Sequence, residues 1–265
     1  MSFNKKHIVD LRNDRKDIVR IVEGCINDLS ISFDKDDKIA VFDFDNTMMI
    51  GDIGDAAIAM MLENEIDIGF KWVEYLELQE IGDVKTAFTM ASKIFQGFEI
   101  DCVKRFANAL LKYEQPEITF FEDENVYKVF VPKPNPLTQK FIEILKNNNF
   151  EIHIITSSNR YLVSHPAKHY FDIDEKYVHG IDHKIKKFSG VPMLTDQVID
   201  PLPIDEGKID VFRKYVSKEL PLIFGGDSRY DLPIAGTVAK DGLLVWFGDS
   251  ELLENFNSDI KIILL

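Results

Sequence analysis

Two aspartates stand two residues apart in the run AVFDFDNT, residues 40–47, where a short apolar segment ends. Side chains alternate in direction along an extended chain, so Asp43 and Asp45 fall on the same side of it. Two carboxylates at the carboxyl end of a buried strand are costly unless a cation neutralises them. Polar groups follow two other apolar runs: Thr156, Ser157, Ser158 and Asn159 after FEIHII, and Gly225, Gly226, Asp227, Ser228 and Asp231 after LIF. Lys208 opens a helical stretch just before the second of these. The chemistry that needs such a set is phosphoryl transfer through a carboxylate. Asp43 can attack phosphorus to give an aspartyl phosphate. Two anions must meet for that, so Mg²⁺ is expected, bound by Asp43 and Asp227, with Asp231 binding it or orienting its waters. Asp45 is placed to protonate the leaving alcohol and later to take a proton from the attacking water. Lys208 would neutralise the nucleophile and the phosphate, while Thr156 and the backbone N–H groups that follow, at Ser157 and Ser158, would hold phosphoryl oxygens.

The elements that must position these groups alternate. A helix is expected over 14–29 and a strand over 38–44. Further strands are expected at 150–156, 177–181, 222–225 and 243–247, separated by helical stretches such as 136–147, 208–220 and 232–238. Alternating strands and helices imply an α/β fold with a doubly wound parallel sheet, whose ligands bind at the carboxyl ends of the strands. From Ile53 to about Val131 the signals are helical, with Val103, Phe106, Ala107, Leu110 and Leu111 at helical offsets. Residues 53–133 are therefore expected to form an inserted, mainly helical cap, and residues 1–52 and 134–265 the core. The turn-rich VPKPNP at 131–136 is the joint.

The chain has 265 residues, 45% of them apolar, enough for one sizeable domain with an insertion. A formal charge of −14 argues against a nucleic-acid backbone or an anionic membrane as the main partner and leaves a small phosphate ester open, since a local metal or lysine inverts the field. Cys25 and Cys102 suit free thiols in a reducing compartment. No apolar h-region marks the first residues and no window reaches the length of a membrane span, so a cytoplasmic location is expected. Composition says nothing of the oligomeric state.

DFDNT at 43–47, the strand-terminal Thr156, Lys208 and GGDSRYD at 225–231 resemble, in order, the four motifs of the haloacid-dehalogenase superfamily. The resemblance covers residues 38–247 and implies a Rossmann-like core with a cap inserted after the first motif. It implies Asp43 as nucleophile, Asp45 as acid/base, Thr156 and Lys208 on the phosphate, and Mg²⁺ held by Asp43, Asp227, Asp231 and the backbone carbonyl of Asp45. In layout the chain looks closest to the phosphoserine-phosphatase and phosphorylcholine-phosphatase group. It departs from phosphoserine phosphatases where Ser157 and Ser158 replace two glycines and where Ser228 replaces a common glycine. The implied activity is Mg²⁺-dependent phosphomonoester hydrolysis. A phosphotransferase using the same aspartyl phosphate and a catalytically silent phosphometabolite-binding protein are the alternatives.

Asp52 lies nine residues past Asp43, where phosphoserine phosphatases carry a glutamate facing the substrate's amino group. A cationic head such as that of phosphoserine, phosphoethanolamine or phosphocholine would suit it, and an N-cap ahead of Ile53 is the equal alternative. Phe70, Trp72 and Tyr75 are expected to pack as cap core rather than to wall a quaternary ammonium. His165 and His169, four apart, have no third zinc ligand at telling spacing. The acidic stretches 34–37 and 120–125 are expected to be solvated turns.

Overall fold

The computed structural model describes residues 8–12, 18–34, 38–254, 256 and 260–265. The expected helix start at 14–17 and most of the acidic turn at 34–37 lie outside these residues. In chain order the elements are β1 (Ile8–Asp10), α1 (Ile18–Ser32), β2 (Ile39–Phe42), β3 (Met49–Ile50), α2 (Ile53–Glu63), α3 (Trp72–Glu80), α4 (Val84–Lys93) and α5 (Ile100–Leu111). There follow β4 (Glu117–Glu122), β5 (Asn125–Phe130), β6 (Lys133–Pro134), α6 (Pro136–Asn147), β7 (Glu151–Asn159), α7 (Arg160–Phe171), β8 (Val178–Ile181), β9 (His183–Phe188) and β10 (Val191–Val198). The chain ends with α8 (Gly207–Tyr215), β11 (Ile223–Gly226), α9 (Leu232–Ala235), β12 (Leu243–Trp246) and β13 (Lys261–Leu264). By internal contacts these fall into two units, one of Met1–Met48, Pro134–Ile155 and Asp205–Leu265, the other of Met49–Lys133 and Thr156–Ile204. Residues 156–204, read from sequence as core, thus group with the inserted segment.

The fold is α/β, built on a seven-stranded sheet in the order β1-β13-β12-β11-β2-β7-β8. The pairs from β1 through to β7 are parallel. β2 and β12 are buried at every position, as continuous apolar strands between two helical layers must be. On one side Val41, Phe224, Leu244, Trp246 and Ile262 pack with Val211 and Phe212 of α8. Burying one such Phe contributes about 1.5–3 kcal/mol. α6 forms where the spacing predicts it: Asn135 caps it by accepting from the Leu137 N–H, Pro136 supplies the preset φ of the first turn, and Phe141, Ile142, Ile144 and Leu145 make the buried stripe. Phe42 pairs with both Gly225 and Ile154, so the residues that follow β2 and β11 emerge at the same end of the sheet. The edge strand β1 and its neighbour β13 escape the sequence reading, being only three and four residues long.

In the second unit α2 buries Ile53, Ala56, Ala57, Ile58, Ala59 and Met61, more than one face, and is its central helix. Helices α2 to α5 make the expected segment mainly helical, with a hairpin, β4–β5, added. The acidic stretch 120–125 is an exposed turn only at Asp123 and Glu124; its flanks are strands of a hairpin. EITFFE and NVYKVF pair in register across Asp123 and Glu124, and the Glu122 carboxylate accepts from the N–H groups of Trp72 and Val73 at 2.8 and 3.0 Å. It thereby caps α3, whose own N-cap, Lys71, cannot. Phe70, Trp72 and Tyr75 are buried and their rings lie 5.5–6.5 Å apart, with Phe120 5.2 Å from Trp72. They are packed core. Cys25 and Cys102 are both free thiols. Among the described residues no helix is long and apolar enough to cross a membrane.

Candidate active site

Asp43 is the first residue beyond β2, anchored by its N–H donating to the Gly225 carbonyl at 2.9 Å. Phe44 is fully buried beside it, and Asp45 is buried too. The chain then turns at once: Asn46 takes φ +54°, a left-handed conformation that Asn tolerates, and the Met48 N–H donates back to the Phe44 carbonyl at 2.9 Å. Two side chains at the start of α6 fix this turn from outside. The Thr138 hydroxyl and the Asn135 amide both donate to the Thr47 carbonyl, at 2.8 and 3.1 Å. So held, the Thr47 hydroxyl donates to Asp227 Oδ1 at 2.9 Å.

Asp227 and Asp231 sit in the loop after β11. Asp231 is completely buried, and its Oδ2 accepts from the N–H groups of Asp227 and Ser228 and from the Ser228 hydroxyl at 3.0–3.2 Å. Two glycines make room. A Cβ on Gly226 would stand 2.9 Å from Asp231 Cβ and Cγ, and one on Gly248 would fall 1.6 Å from the Asp227 carbonyl oxygen. Lys208, in the first turn of α8 and 2% exposed, reaches Asp43 Oδ1 at 2.7 Å and Asp231 Oδ1 at 2.6 Å. Carboxylate oxygens of Asp43, Asp227 and Asp231 lie within 4.8 Å of one another.

Burial pushes the Asp43 carboxyl well above the usual range, and the charges of Asp231 and Asp227 push it further, while Lys208 pulls it down. Burial works against the Lys208 ammonium, yet Asp231 and Asp43 outweigh it and hold its pKa above the ordinary value. Three carboxylates facing one ammonium leave negative charge uncompensated in a buried place. A divalent cation fits that balance, and an all-oxygen carboxylate set suits a hard ion such as Mg²⁺. Asp231 already accepts on both oxygens, so Asp43 and Asp227 are the better direct ligands.

The structure brings Asp43, Asp227, Asp231 and Lys208 together with Asp45 two residues on. Thr156, Ser157, Ser158 and Asp52 belong to the other unit. There Thr156, in β7, is buried and accepts the Ser158 N–H at 3.1 Å, and the Ser157 hydroxyl donates to the Pro203 carbonyl at 2.9 Å. Asp52 caps α2 by accepting the Asp55 N–H at 2.8 Å. A Cβ on Gly54 would lie 3.2 Å from Asp52 Oδ1 and 3.3 Å from Ser158 Oγ, so these two side chains flank one glycine. Burial raises the Asp52 carboxyl despite the Asp55 and Gly54 N–H groups; burial and the charge of Asp52 raise Asp55, against the pull of its 2.8 Å hydrogen bond from the Tyr75 hydroxyl. His165 and His169 have parallel rings 6.0 Å apart, and among the described residues no further ligand joins them in a metal set.

A family model described as haloacid dehalogenase-like hydrolase matches residues 38–234, from β2 through the loop that carries Asp227 and Asp231. The chain belongs to that family. No curated protein matches the sequence. Among solved structures this hydrolase is similar to a functionally unknown protein from Anaerococcus prevotii, with TM-score 0.61, 18% identity, and 83% of this chain and 84% of that one covered. It is similar to a substrate-bound phosphoserine phosphatase at TM-score 0.51, 13% identity and coverages of 86% and 92%. Cytosolic 5′-nucleotidase IIIB bound to cytidine aligns at TM-score 0.52, 13% identity and coverages of 95% and 89%. At such identities the likeness of this hydrolase to these proteins is one of fold.

Sequence reasoning found the carboxylates and the lysine but assigned no role to Thr47, Asn135 or Thr138. Thr47 was visible within DFDNT and Asn135 as a helix cap. Thr138 left no local signal, because its role is to bond a carbonyl 91 residues away.

Proposed function

We propose that this hydrolase is a Mg²⁺-dependent phosphomonoesterase working through an aspartyl phosphate on Asp43. The observation that carries the reading is the buried Lys208 ammonium bridging Asp43 and Asp231, with a second acid, Asp45, two residues from Asp43. Asp43 and Asp227 would hold the metal, with Asp231 orienting its waters and the Asp45 carbonyl as a further ligand. The ion, when bound, would supply the positive charge that lets a phosphate dianion approach a carboxylate.

Asp43 attacks phosphorus, with Lys208 favouring its ionised form against the burial that raises its pKa. Asp45 gives its proton to the departing alkoxide and, in the second half-reaction, takes one from water attacking the phosphoryl group on Asp43. The Thr156 hydroxyl and the backbone N–H groups of Ser157 and Ser158 would donate to phosphoryl oxygens, the Ser158 N–H exchanging its bond to Thr156 for one to phosphate. A small, soluble phosphate ester in the cytoplasm is the proposed substrate. Asp52, half-buried and bonded to the backbone N–H groups of Asp55 and Gly54, favours an amine-bearing alcohol of the phosphoserine, phosphoethanolamine or phosphocholine kind. Phosphate release from a panel of phosphorylated metabolites with Mg²⁺ tests the reading, and no release from any member or from an aryl phosphate would overturn it. Adding acceptor alcohols to the same assay separates transfer to water from transfer to an alcohol.

A further inference from the structure

The second unit carries two hairpins of opposite charge, each with exposed apolar side chains. In β4–β5 the register sets Phe121 opposite Val126 and Glu117 opposite Phe130, so alternation puts Phe121, Val126 and Phe130 on one face. These three are 73%, 56% and 68% exposed. One exposed apolar residue is ordinary; three on one face of a short hairpin form a patch. Glu117, Glu122, Asp123 and Glu124 make the same hairpin acidic, with Lys128 as its one base. β9 is the reverse. Its sequence HKIKKF carries Lys184, Lys186 and Lys187, and Ile185 and Phe188 are 48% and 69% exposed. The whole β9–β10 hairpin holds a single acid, Asp196, in a chain of net charge −14.

Lysines alone on a peripheral strand would guard against unwanted pairing. A guard has no use for an exposed Phe188 beside them, nor for a patch of opposite charge and like apolarity elsewhere in the unit. We propose that a second copy of this chain covers both hairpins: the acidic β4–β5 face of one protomer meets the basic β9 of the other, and two-fold symmetry repeats the contact. Phe121, Val126, Phe130 and Phe188 form the desolvated centre, and the lysine–carboxylate pairs at the rim set register and speed encounter. None of these side chains is among the proposed catalytic or substrate-binding groups.

The test is the mass in solution of the full chain by light scattering or sedimentation at low salt, for wild type and two charge-reversed variants. One variant carries Lys184→Glu, Lys186→Glu and Lys187→Glu; the other carries Glu117→Lys, Asp123→Lys and Glu124→Lys. Wild type is expected as a dimer, twice the 30.5 kDa chain, that dissociates as salt screens the rim. Each variant alone is expected as a monomer, its dissociation constant raised about tenfold or more, and an equimolar mixture of the two is expected to dimerise again. A monomeric wild type, a dimer untouched by both reversals, or a mixture that stays monomeric would overturn the proposal. All six positions are surface turn or strand residues, and a circular dichroism spectrum like that of wild type with a cooperative thermal transition confirms that the variants fold.

Discussion

The Lys208 ammonium stands 2.7 Å from the carboxylate of Asp43, although 165 residues separate them and both are buried. α8 brings the lysine there in its first turn, and its Nζ also reaches Asp231. Everything proposed for Asp43 depends on that charge, since its environment otherwise favours the protonated, inert form.

Replacing Lys208 by Met should therefore cost both activity and stability. Removing one partner of a buried ion pair typically costs about 3–5 kcal/mol, because the remaining charges lose their compensation. Denaturant unfolding in the absence of divalent ions should show a loss of this order, and a loss under about 1 kcal/mol would mean that the carboxylates are neutral there.

Asp45→Asn should discriminate between leaving groups. Alkyl phosphates, whose alkoxide needs a proton, should lose about 10²–10⁴ in kcat. An aryl phosphate with an acidic phenol should lose much less, and equal losses would remove Asp45 from the proton-transfer role.

Gly226→Ala should disturb Asp231 directly, since the new Cβ would stand 2.7 Å from the Phe224 ring and 2.9 Å from the Asp231 side chain. An overpacking cost of about 1–3 kcal/mol is expected, with a larger fall in kcat as Asp231 is displaced from Lys208. Wild-type stability and turnover in this variant would show that the loop yields freely.

His183 gives a pH signature unconnected with catalysis. It is fully buried, with Nδ1 2.8 Å from the Thr195 carbonyl and Nε2 2.8 Å from the Ser92 hydroxyl. A carbonyl only accepts, so Nδ1 bears the proton and Nε2 accepts from Ser92. Burial first, and Lys93 in a smaller measure, lower its pKa in spite of the Thr195 carbonyl and Asp182. The unfolded chain then binds the proton more readily, so stability is full above the unfolded value of about 6.5 and is lost as pH falls below it. Unfolding free energies at about pH 7.5 and 5.5 should fall more for wild type than for His183→Gln. Equal falls would contradict the assignment.

The reach of sequence reading follows from the range of each interaction. Asp43, Asp227 and Asp231 were legible because each sits just past an apolar run, and Lys208 because it opens a helix in the right order. The helix Pro136–Asn147 was legible because its opening proline and its apolar stripe both lie within it. The β4–β5 hairpin was obscured by its acidic tip: FEDEN suggests solvent, but Glu122 is turned back to cap a helix fifty residues earlier. Residues 156–204 read as core because their local pattern is α/β, whereas their partners are remote. Ser92 bonded to His183 and to Asn159 is one such tie, and no local window contains it. Thr47 to Asp227 is another, 180 residues apart.

The central claim is that phosphate passes through Asp43. Rapid acid quenching of the Mg²⁺-loaded enzyme during turnover of a labelled phosphate ester, followed by peptide mapping, measures this directly. The label is expected on the peptide that contains Asp43 in wild type, at an increased level where hydrolysis of the intermediate is slowed by Asp45→Asn, and on no peptide in Asp43→Asn, which should not turn over. Turnover by Asp43→Asn, or label found on another residue, would contradict the account.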